Sequence, residues 1–180
     1  MRIISGTYKG RRLTAPKNLP VRPTTDFAKE ALFNILRVRY YFEELTVLDL
    51  FSGTGNISFE FASRGVQNIT SVDQHHGCIQ YINKVSEEFE FPIKTIKFDV
   101  SKYLEKCSGT FDVIFADPPY DFDVSQLEGI VKTVFEKNLL EAEEGLLIIE
   151  HSKQNNLSAV ENFKEARKYG GNVFSFFSSK

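Results

Sequence analysis

From residue 44 onward, short apolar runs alternate with amphipathic stretches of helical period. The apolar runs fall at 46–50, 68–72, 94–98, 113–116 and 146–150, and each reads as a strand. Helical stretches begin near Asn56, His76, Ser101 and Val124. Near-continuous apolar strands alternating with helices predict a parallel sheet covered on both faces. The tail breaks that rhythm: Gly170-Gly171 separates two runs and predicts a closing antiparallel hairpin.

The first 43 residues carry a different pattern. Residues 2–13 read as two short strands around a glycine-containing turn. A helix is expected from about Asp26, with Thr25 or Asp26 as N-cap. Its expected apolar face is Phe27, Ala31, Leu32, Ile35 and Leu36. The chain thus divides into an extension, 1–43, and an α/β domain, 44–180.

Charge sharpens that division. The formal net charge is -2. Yet residues 1–40 carry nine Lys/Arg against Asp26 and Glu30, so the remainder is acidic. Such asymmetry fits either contact with a polyanion or a solvated basic face. A composition of 42% hydrophobic and 26% charged residues indicates a soluble globular chain rather than a disordered one. Seventeen Phe and no Trp concern core packing. Cys78 and Cys107 lack metal-like neighbours and read as reduced thiols of a cytoplasmic protein. No signal peptide or membrane-length apolar run is visible.

Two loops carry candidate chemistry. In "VLDLFSGTGNIS", residues 47–58, Gly53 and Gly55 let the backbone turn tightly and approach a ligand. The dinucleotide fingerprint would place a third glycine where Ser58 stands. Asp49 lies in the first strand, Asp73 ends the second and Asp99 ends the third. Any one of these acids could be a helix cap or loop acid. Three together would crowd negative charge around one crevice, which suits a ribose and a cationic centre and repels a pyrophosphate. S-adenosylmethionine has those features and NAD does not. Phe51 and Val100 complete the expected cofactor contacts.

The second loop is "FDVIFADPPYDF", where the strand at 113–116 stops on Asp117-Pro118-Pro119-Tyr120. The exocyclic amine of a nucleobase is a poor nucleophile because its lone pair is delocalised into the ring. The Asp117 carboxylate and the Pro118 carbonyl could accept from its N–H groups and turn the lone pair toward a methyl donor. The prolines stiffen that placement, and Tyr120 offers a face for an unstacked base. This chemistry needs no metal and no catalytic histidine, so His75, His76 and His151 are expected to be surface or structural residues.

"DLFSGTG", "SVDQ" and "DPPY", in this order, resemble class I S-adenosylmethionine-dependent methyltransferases acting on amino nitrogens. "MRIISGTYKGRRL" followed by "RPTTDFAKEALFNIL" resembles one branch of them, the RsmD family of bacterial 16S rRNA guanine-N2 methyltransferases. The similarity covers essentially the whole chain. It implies a Rossmann-like, seven-stranded, mostly parallel sheet in the order 3-2-1-4-5-7-6, with the seventh strand antiparallel. It implies a monomer acting on a guanine of 16S rRNA within the assembled or assembling small ribosomal subunit. Asp49, Gly53 and Gly55 would cradle the methionine end of the cofactor, Asp73 its ribose and Asp99 its adenine amine. Asp117 through Tyr120 would hold the guanine, and Lys9, Arg11, Arg12, Arg22 and Lys29 would grip RNA phosphates. Adenine-N6 methylation, glutamine-N5 methylation of a protein and RNA binding without catalysis are the rival readings.

Overall fold

The computed structural model describes residues 1–21 and 24–179. In chain order the elements are α1 (Asp26–Arg39), β1 (Thr46–Leu50), α2 (Asn56–Ser63), β2 (Asn68–Asp73) and α3 (His76–Phe89). There follow β3 (Ile93–Lys97), α4 (Val100–Lys106), β4 (Val113–Ala116), α5 (Val124–Glu136), β5 (Leu146–Ser152), β6 (Phe163–Tyr169) and β7 (Asn172–Phe177). The strands form one sheet in the order β3-β2-β1-β4-β5-β7-β6. β1 to β5 pair in parallel, and β7 runs antiparallel to both its neighbours. The predicted fold class and strand order are those observed.

Alternation along the strands divides the core between the two faces of the sheet. Val47, Val113, Phe115, Leu146 and Ile148 pack with α1, α2 and α3. Leu48, Ile114, Ala116, Leu147 and Ile149 pack with α4 and α5. Both faces are covered, which is why these strands read as unbroken apolar runs. The register sets Leu50 beside Val72 on one side and Ala116 on the other, and Ala116 beside Ile149. The residues that follow therefore meet along one carboxyl edge. Strand order reverses between β1 and β4, and a ligand crevice belongs at such a switch point.

The extension departs from expectation in two ways. Residues 2–13 form a hairpin closed by a single Arg2–Arg12 bridge and a few backbone hydrogen bonds, not two strands. Its turn lies against the end of α2: a side chain at Gly6 would sit 1.7 Å from the Ser63 carbonyl oxygen. α1 begins as predicted, with the Thr25 hydroxyl accepting from the Ala28 N–H. Its buried residues, however, are Ala28, Lys29, Leu32, Phe33 and Leu36, while Phe27 is exposed. Ile3, Leu13 and the α1 residues share one core with β1 and β4.

Candidate active site

A cleft of about 940 Å³ opens at the carboxyl edge of the sheet. That is the upper end of the roughly 300–1,000 Å³ typical of small-molecule sites, room for two ligands side by side. Asp49, Phe51, Gly53, Asp73, Asp99 and Val100 line one half, and Asp117 through Tyr120 the other. Gly55 does not line it. At φ +76 it caps α2 from behind, where a side chain would meet Ile82 at 2.9 Å and Phe59 at 3.0 Å.

In the first half, local bonds hold each acid. Asp73 accepts from the Gly53 N–H (2.9 Å) and the His75 N–H (2.7 Å), which ties the glycine loop to the end of β2. Asp99 caps α4, accepting from the Lys102 N–H at 2.9 Å. Asp49 is 1% exposed and accepts from the Ser58 hydroxyl at 2.5 Å. Ser58 also shares a hydrogen bond with Ser71 at 2.7 Å. The residue that departs from the glycine fingerprint is thus the partner of the buried acid. Burial pushes the Asp49 carboxyl up to about 7, against the pull of the Ser58 bonds, and Asp73 adds to the rise. An acid about half ionised at pH 7 is poised to ionise fully when a cation arrives. Phe51 holds φ +55, a left-handed conformation that costs a β-region residue about 1 kcal/mol or more. Ser52, beside it in the cleft wall, has a buried hydroxyl with no hydrogen-bond partner among the described residues. An orphaned hydroxyl, a tight glycine loop and a buried acid fit a polar, positively charged cofactor.

In the second half, Asp117 is half-buried, Pro118 buried and Tyr120 59% exposed. The Ser152 hydroxyl donates to the Tyr120 oxygen at 3.2 Å and steadies the ring. Sequence reasoning missed further polar residues of the cleft: Thr24, Asn56, Glu150, Asn155 and Asn172 also line it. They converge from distant parts of the chain, so no local spacing marks them. His75 and His151 also line the cleft, and His151 is buried. Its ring bonds Ser175 and the Ser152 carbonyl, both at 2.8 Å, and burial holds it below its ordinary value.

Lys29 corrects the expected set of RNA contacts. Its side chain is 1% exposed and its ammonium lies 3.3 Å from Glu60, itself 0% exposed. The ammonium also donates to the Arg2 carbonyl (2.6 Å) and to Asn56 Oδ1 (2.8 Å). Burial lowers its pKa, with Glu60 opposing. Glu60 in turn accepts from the Ile4 and Ser5 N–H groups and pairs with Arg64. A lysine so enclosed cannot reach a phosphate; it fastens the hairpin and α1 to α2.

Lys9, Arg11 and Arg12 are exposed, but they do not line the cleft. Thr7 bonds Ser63 and Tyr8 bonds Phe89, at the carboxyl ends of α2 and α3. The Arg11 guanidinium lies 5.2 Å over the Phe89 ring. Arg11 and the hairpin turn therefore sit beside the carboxyl ends of α2 and α3 rather than in the cleft. Arg22 lies outside the described residues.

Comparison with known proteins finds relatives along essentially the whole chain. The family model described as Conserved hypothetical protein 95 matches residues 1–178. The chain is 30% identical over 183 residues to ribosomal RNA small subunit methyltransferase D of Haemophilus influenzae, covering 98% of this chain and 91% of that one. It is 29% identical over 161 residues to the Escherichia coli K12 protein of the same name, covering 89% and 79%. A solved structure of a hypothetical protein from Thermus thermophilus superposes with a TM-score of 0.85 at 27% identity, covering 99% of each chain.

Proposed function

The chain belongs to the family described as Conserved hypothetical protein 95, the RsmD family, and on that premise we propose that it transfers a methyl group from S-adenosylmethionine to the exocyclic N2 of one guanine in 16S rRNA. The observation that carries the reading is the meeting of the glycine loop, Asp73 and the Asp117–Tyr120 turn in one cleft.

S-adenosylmethionine, when bound, supplies a methyl group on a positively charged sulfur. Asp49 and the glycine loop would hold its methionine end, Asp73 its ribose, and Asp99 with Val100 its adenine. The Asp117 carboxylate and the Pro118 carbonyl would accept the two N–H groups of the guanine amine, so that the nitrogen lone pair points at the methyl carbon. Tyr120 would stack on the base after it leaves the RNA. The acceleration comes chiefly from alignment, and the amine proton leaves toward the Asp117 carboxylate. Lys9, Arg11 and Arg12 would contact phosphates away from the cleft, a placement suited to a substrate far larger than one nucleotide.

The test offers labelled S-adenosylmethionine with unmodified small subunits, naked rRNA or DNA, followed by mass spectrometry of the nucleosides. N2-methylguanosine from the subunit is the expected product. N6-methyladenine, or label only in protein, would replace the substrate assignment and keep the cofactor. Absence of saturable S-adenosylmethionine binding would leave an RNA-binding module.

A further inference from the structure

The parallel register of β4 and β5 places a second carboxylate beside Asp117. Ala116 pairs with Ile149, so the next residues, Asp117 and Glu150, fall side by side at the carboxyl edge. Both side chains lie on the sheet face that carries Phe115 and Ile148, toward α1 and α2. Glu150 is 4% exposed and lines the same cleft. Its Oε2 accepts from the Thr24 hydroxyl at 2.6 Å, and its Oε1 accepts from the Asn172 amide. The Thr24 carbonyl is itself held by Asn56 Nδ2 at 3.0 Å, and Asn56 by Lys29. A buried carboxylate is expensive to keep, and this one is fixed in orientation by donors from the N-terminal extension and from the neighbouring strand β7.

The edges of guanine and adenine differ next to the amine. In guanine the N2 amine stands beside a protonated N1, a donor. In adenine the N6 amine stands beside an unprotonated N1, an acceptor. A carboxylate adjoining the group that holds the amine attracts the first arrangement and repels the second. We propose that Glu150 selects guanine by accepting its N1–H while Asp117 and Pro118 hold the amine. The inference rests on reading the cleft as a site for a nucleobase amine, and it makes that site specific.

The test first maps the guanine that the wild-type protein methylates in small subunits. That guanine is then replaced by 2-aminopurine, which keeps the 2-amine but has a bare N1, in ligated rRNA assembled into subunits. The wild type should favour guanine in kcat/KM on the order of 10²-fold. Glu150→Gln offers an amide that can donate to a bare N1, and the preference should fall to a few-fold with S-adenosylmethionine affinity unchanged. Thr24→Val, which removes one restraint on the carboxylate and leaves it in place, should lose part of the preference. Full preference in both variants, or an equal loss on both substrates, would overturn the role of Glu150 alone. A wild type that makes N6-methyladenine would overturn the underlying reading as well.

Discussion

The two halves of the cleft are both lined with acids, yet they are built differently. In the half proposed for the cofactor each carboxylate is held from its own or the adjoining strand-loop-helix unit: Asp73 by His75 and by Gly53, Asp99 by Lys102, Asp49 by Ser58. In the half proposed for the base Glu150 is held by Thr24, 126 residues away, and by Asn172, 22 residues away on another strand. A site made of local bonds forms with its own strand-loop-helix unit and leaves a motif in the sequence. A site made of distant bonds exists only once the extension and the closing hairpin have docked. The first kind suits a cofactor common to many proteins, the second a substrate peculiar to this one.

The largest expected effect breaks the halves apart. Asp117→Ala should lower methyl transfer about 10³-fold while S-adenosylmethionine affinity, by calorimetry, stays within about twofold. Comparable loss of both would move Asp117 into the cofactor half. Next comes the link between the extension and the glycine loop. Lys29→Met leaves Glu60 buried with only part of its compensation, at a cost of about 3 kcal/mol in denaturant unfolding. A change near zero would mean that Arg64 and the Ile4 and Ser5 amides suffice for Glu60.

A smaller effect separates the cofactor half by pH. Asp49 titrates at about 7 in the folded chain, above its unfolded value of 3.8. Its contribution to the stability of the cofactor-free protein is therefore fully present below 3.8 and is lost as pH rises through about 7. Binding of a cation favours the ionised form, so S-adenosylmethionine affinity should fall as pH drops below about 7, by up to about tenfold per unit. Asp49→Asn should flatten that dependence between about pH 6 and 8, and an unchanged slope would assign the titration elsewhere. The smallest effect concerns the basic hairpin. Arg11→Glu with Arg12→Glu should weaken RNA binding several-fold and reduce the salt slope by about 2. The same slope in both proteins would return these arginines to the solvated surface.

Lys29 and Arg11 show where a sequence stops being informative. Both are cations of the basic N-terminal segment, and composition gives no reason to separate them. One is enclosed by Glu60, Asn56 and a carbonyl; the other stays in solvent beside Phe89 and Glu88. Likewise, the period of α1 marks an apolar face but not which side turns inward, and Phe27, expected inside, lies in solvent. Ser58 is a departure in the glycine loop until Asp49 is seen beneath it.

Much of the molecule is legible residue by residue. The run lengths give the sheet, the turn residues give the glycine loop and the closing hairpin, and Asp73, Asp99 and Asp117 announce themselves by standing at strand ends. These signals can be read because steric limits on the backbone and the periods of strand and helix act over a few residues. Folding alone settles that Lys29 is a fastener, that Lys9, Arg11 and Arg12 stand outside the cleft, and that Glu150 stands beside Asp117. Burial and ion pairing depend on which surfaces meet across the fold, and that information is spread along the chain rather than held in any one stretch of it.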